Sequence, residues 1–120
     1  MEVKKPSIYI ASGIDNENIK QIYYGIEEEE IPFTFVDDEK IENLSSMETI
    51  KKAYQASLSS QLGVGIAFDD SFAYLHQKSL PEDEPLFRVR TTDLENLNHL
   101  GTNAARLVKG IPFKEIKEGD

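Results

Sequence analysis

The chain has 120 residues, 39% of them hydrophobic and 29% charged, with a formal net charge of −9 and no cysteine. These values fit one soluble globular domain with a modest core, which we take to span residues 1–120, and they exclude thiolate catalysis and disulfide bracing. The acidity argues against an electrostatic footprint on nucleic acid or anionic lipid and leaves a basic protein partner or a metal ion open.

Ser7-Ile-Tyr-Ile-Ala11 reads as a first strand, with Ser12-Gly13 as a turn and Asp15 or Asn16 as the cap of a helix. No apolar run is long enough to cross a bilayer, and the stretch behind Met1-Glu-Val-Lys-Lys-Pro6 is too short for a signal segment; the lack of cysteine is what points to a cytoplasmic home. Ile19, Ile22, Tyr23 and Ile26 form the apolar stripe of the first helix. Pro32 stops it, and Phe33-Thr-Phe-Val36 reads as a second strand. Asp37 to Ser45 is polar and predicts a loop with poor local order.

Ser45-Ser-Met-Glu48 has the spacing of a capping box before a helix carrying Met47, Ile50, Tyr54 and Leu58. Gly63-Val-Gly-Ile-Ala-Phe68 predicts a third strand whose glycines mark close packing or a bend. Asp69-Asp-Ser71 turns the chain into Phe72-Ala-Tyr-Leu-His76, a hairpin partner, and Leu86-Phe-Arg-Val-Arg90 supplies a fifth strand. Thr92-Asp-Leu-Glu95 offers a second capping box, opening a helix with the stripe Leu97, Leu100, Ala104, Leu107 and Val108. Gly110 is placed for a left-handed cap, and Pro112 forbids continuation.

The order β-α-β-α-β-β-β-α predicts an α/β fold of two or three layers: a mixed, mainly parallel sheet with flanking helices. None of the strand–helix junctions carries a dinucleotide fingerprint, and no Walker-type sequence occurs. His76 with Asp69 or Asp70 would make a small-molecule enzyme only if the groups converged in a pocket.

Two helix endings stand out. Gly25-Ile-Glu-Glu-Glu-Glu-Ile-Pro-Phe33 loads a helix C-terminus with carboxylates, where the helix dipole disfavours them. At 100° per residue, Glu28 lies opposite the Ile19/Ile22/Ile26 stripe, Glu27 and Glu29 flank it, and Glu30 would return to the apolar side, so the helix ends at or just before Glu30. The run is either a solvated acidic patch or a face relieved by a cation or a basic partner. A lone outward carboxylate cannot hold Mg²⁺ tightly, so a metal site here needs ligands from another chain or water. Gly101 to Phe113 ends in the same Ile-Pro-Phe but carries cations: the wheel puts Arg106 opposite the apolar stripe and Lys109 to one side. This is either a dipole-stabilising basic end or, with Asn103 and the small pair Ala104-Ala105, a recognition surface.

At these two segments the chain resembles the small subunit of the reactivating factor for adenosylcobalamin-dependent diol and glycerol dehydratases. Gly25 to Phe33 and Asn103-Ala-Ala-Arg-Leu-Val-Lys-Gly-Ile-Pro-Phe113 carry the likeness, with weaker matches in Val64-Gly-Ile-Ala67, His76-Gln-Lys-Ser-Leu-Pro81 and Pro85-Leu-Phe87. The medium subunit of the dehydratase itself shares the acidic ending and the Asn-Ala-Ala-Arg segment but is longer, so it is the alternative.

The resemblance implies the fold of the medium-subunit core and a non-catalytic, chaperone-like role in a hetero-oligomer, a heterotetramer with a large subunit that binds ATP or ADP. It implies action on inactivated dehydratase by subunit displacement, with release of damaged cobalamin. It also implies that Glu28 helps coordinate Mg²⁺ or another divalent cation at the large-subunit interface. Glu27, Glu29, Asn103, Arg106 and Lys109 are the accompanying interface candidates, and a cytoplasmic location extends to association with a bacterial microcompartment. Glu30 stands where such proteins commonly have Gly, and Asp37 to Ser46 matches poorly, so no partner contact is assigned there.

Overall fold

In the computed structural model, residues 5–11 and 16–117 are described. The predicted Ser12-Gly13 turn and the Asp15 cap lie outside them. The elements are β1 (Ile8–Ala11), α1 (Lys20–Glu28) entered through a 3₁₀ turn, β2 (Phe33–Val36), α2 (Thr49–Ser59), β3 (Val64–Phe68), β4 (Phe72–Gln77), β5 (Phe87–Arg90) and α3 (Leu94–Lys109). The order is the expected one. No helix among the described residues is long and apolar enough to cross a membrane.

One sheet runs β2-β1-β3-β4-β5. β1 pairs parallel with β2 and β3, whereas β3–β4 and β4–β5 are antiparallel. The sheet is thus evenly mixed rather than mainly parallel, because the short Asp69-Asp-Ser71 and Pro-bounded connections permit only hairpin-type returns.

Strand alternation sorts the core into two clusters. Ile8, Ile10, Val64, Ile66, Leu75 and Val89 face Ile22 and Ile26 of α1 and Leu97, Leu100 and Ala104 of α3. On the other face Ala11, Val36, Ala67 and Tyr74 pack with Ala53 of α2. Helices on both faces make three layers.

Local details depart from expectation in α2. Leu58 is exposed, and the buried side of the helix is Ala53, Ala56 and Ser57. These small residues let the helix lie against β3, where a Cβ on Gly65 would overlap the Ala53 carbonyl and the Ser57 amide. The Ser45–Glu48 box does not form. Glu48 is the N-cap without a side-chain bond, because the Ser45 backbone N–H and hydroxyl both donate to Asp38, at 2.7 and 2.6 Å. Those bonds hold the Asp38 carboxyl below the usual range, the hydroxyl contributing most. The polar stretch is accordingly built around a 3₁₀ turn at Leu44–Ser46, with Ile41 and Leu44 buried. At α3 the cap is Asp93, one residue beyond Thr92, and it accepts from the Asn96 N–H at 3.1 Å.

Candidate functional site

α1 and α3 cross with almost no side chain between them. A Cβ on Gly25 would overlap the Asn98 carbonyl, and one on Gly101 would overlap the Ile22 carbonyl. This glycine pair, which the apolar stripes do not disclose, brings the two unusual helix endings together.

The endings share a backbone plan. At α3, Gly110 takes φ 71, ψ 30; its N–H donates to Leu107 O at 3.3 Å and the Ile111 N–H donates to Arg106 O at 3.2 Å. These are the two bonds of a Schellman cap. At α1, Glu28 is the last helical residue, Glu29 is the cap, and Glu30 occupies the left-handed position at φ 60, its N–H donating to Glu27 O at 3.0 Å. A non-glycine residue there carries strain of about 1 kcal/mol or more.

Glu29 joins the ends. Its carboxylate accepts from Lys109 Nζ at 3.1 Å and from Arg106 Nη2 at 3.5 Å, with its side chain 16% exposed. The Lys109 hydrogen bond does most to hold the carboxyl below the usual glutamate range; partial burial works against it, and the charges of Lys109 and Arg106 add to it. Glu29 therefore has internal partners.

Arg106 is not the outward residue that the helix wheel predicts. Its side chain is 25% exposed, Nη1 donates to Pro112 O at 3.2 Å, and Nε is buried with no hydrogen-bond partner among the described residues. The wheel treats that side of α3 as solvent, but the segment after the helix doubles back over it. Asn103 anchors that return. It is buried, its amide donates to Lys114 O at 2.9 Å and its carbonyl accepts from Lys114 N–H at 2.7 Å. Asn96 repeats the pairing with Lys117 at 2.5 and 3.3 Å, and His99 Nδ1 donates to Glu115 O at 2.9 Å. Seven helical residues and three extended ones both span about 10 Å, which is why the two asparagines match residues 114 and 117. Asn103 and the buried pair Ala104-Ala105 are consequently interior residues, a correction to their reading as a recognition surface.

Glu27, Glu28 and Glu30 remain exposed, and among the described residues the ion pairs are those of Glu29 and of Lys20 with Glu17. No group of three or more His, Cys, Asp or Glu among the described residues could hold a metal ion. Glu28 fits a divalent cation only as one oxygen ligand of a site completed from outside the chain.

His76 does not meet Asp69 or Asp70. It is buried opposite Gly65, its ring 5.1 Å from that of Tyr54, while the two aspartates sit at the far end of the β3–β4 hairpin. Its Nδ1 accepts from Gln77 N–H at 3.0 Å and Nε2 donates to Glu82 O at 3.0 Å, so both nitrogens serve the backbone. Asp69 is a turn residue: against partial burial, the Phe72 and Ser71 N–H groups, the Thr49 hydroxyl and Lys52 keep its carboxyl below the usual range.

Comparison with known proteins matches this arrangement. Residues 5–114 match the dehydratase medium subunit family. The chain is 41% identical over 98 residues to the diol dehydratase-reactivating factor small subunit of Klebsiella michiganensis, covering 81% of this chain and 74% of that one. It is 40% identical over 97 residues to the propanediol dehydratase-reactivating factor small subunit of Salmonella typhimurium, covering 80% and 78%. Among solved structures, a diol dehydratase-reactivating factor complexed with ADP and Mg²⁺ aligns with a TM-score of 0.82 at 38% identity, over 93% of this chain and all of that one. A glycerol dehydratase reactivase aligns with a TM-score of 0.80 at 26% identity, over 95% of this chain and all of that one. The chain belongs to the dehydratase medium subunit family and, within it, to the small subunits of the diol and glycerol dehydratase reactivating factors.

Proposed function

We infer that this protein is the non-catalytic small subunit of a reactivating factor. It acts with a large ATP-hydrolysing subunit on inactivated adenosylcobalamin-dependent diol or glycerol dehydratase. The family relationship supplies the physical logic. A chain with the fold of a dehydratase medium subunit can compete for the surface that the medium subunit occupies, and displacing that subunit loosens the enzyme enough for damaged cobalamin to leave. No reacting group is required of the small subunit: His76 and Asp69 are committed to structure, and Asp70 lies exposed at the far end of the hairpin from His76.

The observation that carries the site assignment is the division of labour in the acidic run. Glu29 pairs with Lys109 and Arg106 within the chain, while the neighbouring Glu28 is exposed and has no ion pair among the described residues. Glu28 supplies one carboxylate oxygen to a divalent cation whose other ligands come from the large subunit and water, and the cation offsets the charge that Glu27, Glu28 and Glu30 place at a helix C-terminus. Lys109, Glu27 and Glu29 border the contact; Asn103 and Arg106 act at one remove by fixing the segment after α3. ADP or ATP sits in the large subunit, and cytoplasmic location with microcompartment association completes the reading.

Co-expression with the large subunit in Mg²⁺-containing buffer tests the assignment. A stable complex through affinity and size-exclusion steps is expected. Separate elution of the two chains, with this chain co-purifying instead with a dehydratase catalytic subunit that retains cobalamin, would overturn it in favour of a holoenzyme subunit.

A further inference from the structure

The two edges of the sheet are built differently. β5, Phe-Arg-Val-Arg, displays exposed Arg88 and Arg90 over the Phe72 ring at 4.6 and 5.5 Å, and Phe113 from the segment after α3 packs on Phe87 at 5.4 Å. Charged side chains and a covering segment are how an edge strand repels unwanted pairing. β2, Phe-Thr-Phe-Val, has no charged residue. Phe35 is 53% exposed, and Tyr24 on the adjoining turn of α1 is 46% exposed. Phe35 joins Tyr23 and Phe33 in an aromatic cluster with ring centroids 5.2 to 5.8 Å apart.

Among the described residues, β2 pairs with β1 alone and its other side meets no strand. Ile8 N–H donates to Pro32 O, so strand alternation turns the peptide groups of Thr34 toward β1 and those of Phe33 and Phe35 toward the open side. An uncharged aromatic edge with outward donors and acceptors is a template for another strand.

Charge selects the occupant. Exposed Glu27, Glu28 and Glu30 precede β2, and exposed Asp37, Asp38 and Glu39 follow it. Lys5 and Lys40 line the groove beside Phe35, Lys40 over the Tyr9 ring at 5.8 Å, but the exposed carboxylates before and after the strand outnumber these two cations. A second copy laid antiparallel on this edge, with Thr34 opposite Thr34 and Phe33 opposite Phe35, would set Glu30 of each chain against Asp38 of the other, in a protein already at −9. A basic-flanked segment meets no such opposition.

We propose that the β2 edge receives an extended segment of the large subunit, apolar at its centre and carrying Lys or Arg at both ends, which adds a strand to the sheet. The proposal rests on the partner assigned above and extends the Glu28 contact along the strand that follows it. Amide hydrogen exchange, resolved at single residues, tests it on this chain alone and in complex with the large subunit. In the complex, the Phe33 and Phe35 amides are expected to slow by about a hundredfold or more, while Arg88 and Arg90 on the opposite edge keep their rates. A complex with unchanged exchange at Phe33 and Phe35 overturns the edge proposal alone. Failure to form any complex overturns the partner assignment and the edge proposal with it. Slowing in the isolated chain that grows with its concentration would assign the edge to a second copy and overturn the proposal. Phe35→Lys, which guards the edge as Arg88 guards β5, gives up the ring contacts with Tyr23 and Phe33, yet it is expected to weaken association at least tenfold at a temperature where circular dichroism shows the chain fully folded; full affinity would count against strand addition.

Discussion

The ends of α1 and α3 follow one backbone plan with opposite contents. Each passes through a left-handed residue into Ile-Pro-Phe, but α3 uses Gly110 at φ 71 and two cations, whereas α1 uses Glu30 at φ 60 and a run of carboxylates. The cationic end is the relaxed one: glycine suits the position, and Lys109 and Arg106 favour a helix C-terminus. The acidic end is strained and unfavourably charged, and among the described residues only Glu29 of the run has a cationic partner. Cost retained at one of two matched endings is what a surface completed by another molecule would show.

The comparison can be broken most forcefully where the helices cross. Gly101→Ala drives a methyl group into the Ile22 backbone and is expected to lose about 3 kcal/mol in urea unfolding, carrying the Glu29 contacts apart with it. A loss below about 0.5 kcal/mol would mean the ends are not held by this contact. The two left-handed positions give a mirrored pair. Glu30→Gly should gain about 1 kcal/mol and Gly110→Ala should lose about 1 kcal/mol, both by equilibrium denaturation. Equal signs would refute the shared plan.

Glu29→Gln should have the smallest effect, under about 1 kcal/mol at neutral pH, as for other partly exposed ion pairs. Its signature is the pH dependence. The folded carboxyl titrates below its unfolded value, near 4.3 for an ordinary glutamate, so its contribution is complete above about that pH and fades as pH falls through the folded value. The stability difference between wild type and Glu29→Gln should therefore close on acidification. A difference that stays constant from neutral pH to well below that window would assign the loss to something other than the charge.

Much of the fold could be read from periodicity. The strands, the Ile19/Ile22/Ile26 and Leu97/Leu100/Ala104 stripes, and the Gly110 cap all follow from local rules and are found. What escaped depends on contacts made from outside each helix. Leu58 completes an apolar spacing yet faces solvent, because Gly65 invites the smaller Ala53, Ala56 and Ser57 face instead. Arg106 lies opposite the leucines on a wheel, but residues 111–117 return over that side and enclose it. The signal for that return was present as a second stripe, Asn96, His99 and Asn103, spaced by three and four along α3. Polar stripes are ordinarily solvated, so spacing alone gave no reason to bury one. Glu28, singled out by the wheel and by the resemblance, lies exposed where the wheel put it; its metal role remains a proposal that the resemblance motivates.

The central claim, that Glu28 faces outward to complete a metal-dependent contact while Glu29 faces inward, is met most directly by isothermal titration of the large subunit with wild type and Glu28→Ala across a Mg²⁺ series. The wild type should bind more tightly as Mg²⁺ rises. Glu28→Ala should lose at least tenfold in affinity at saturating Mg²⁺ and most of the Mg²⁺ dependence, with its urea midpoint unchanged. Identical affinity of the two chains across the whole series would contradict the account.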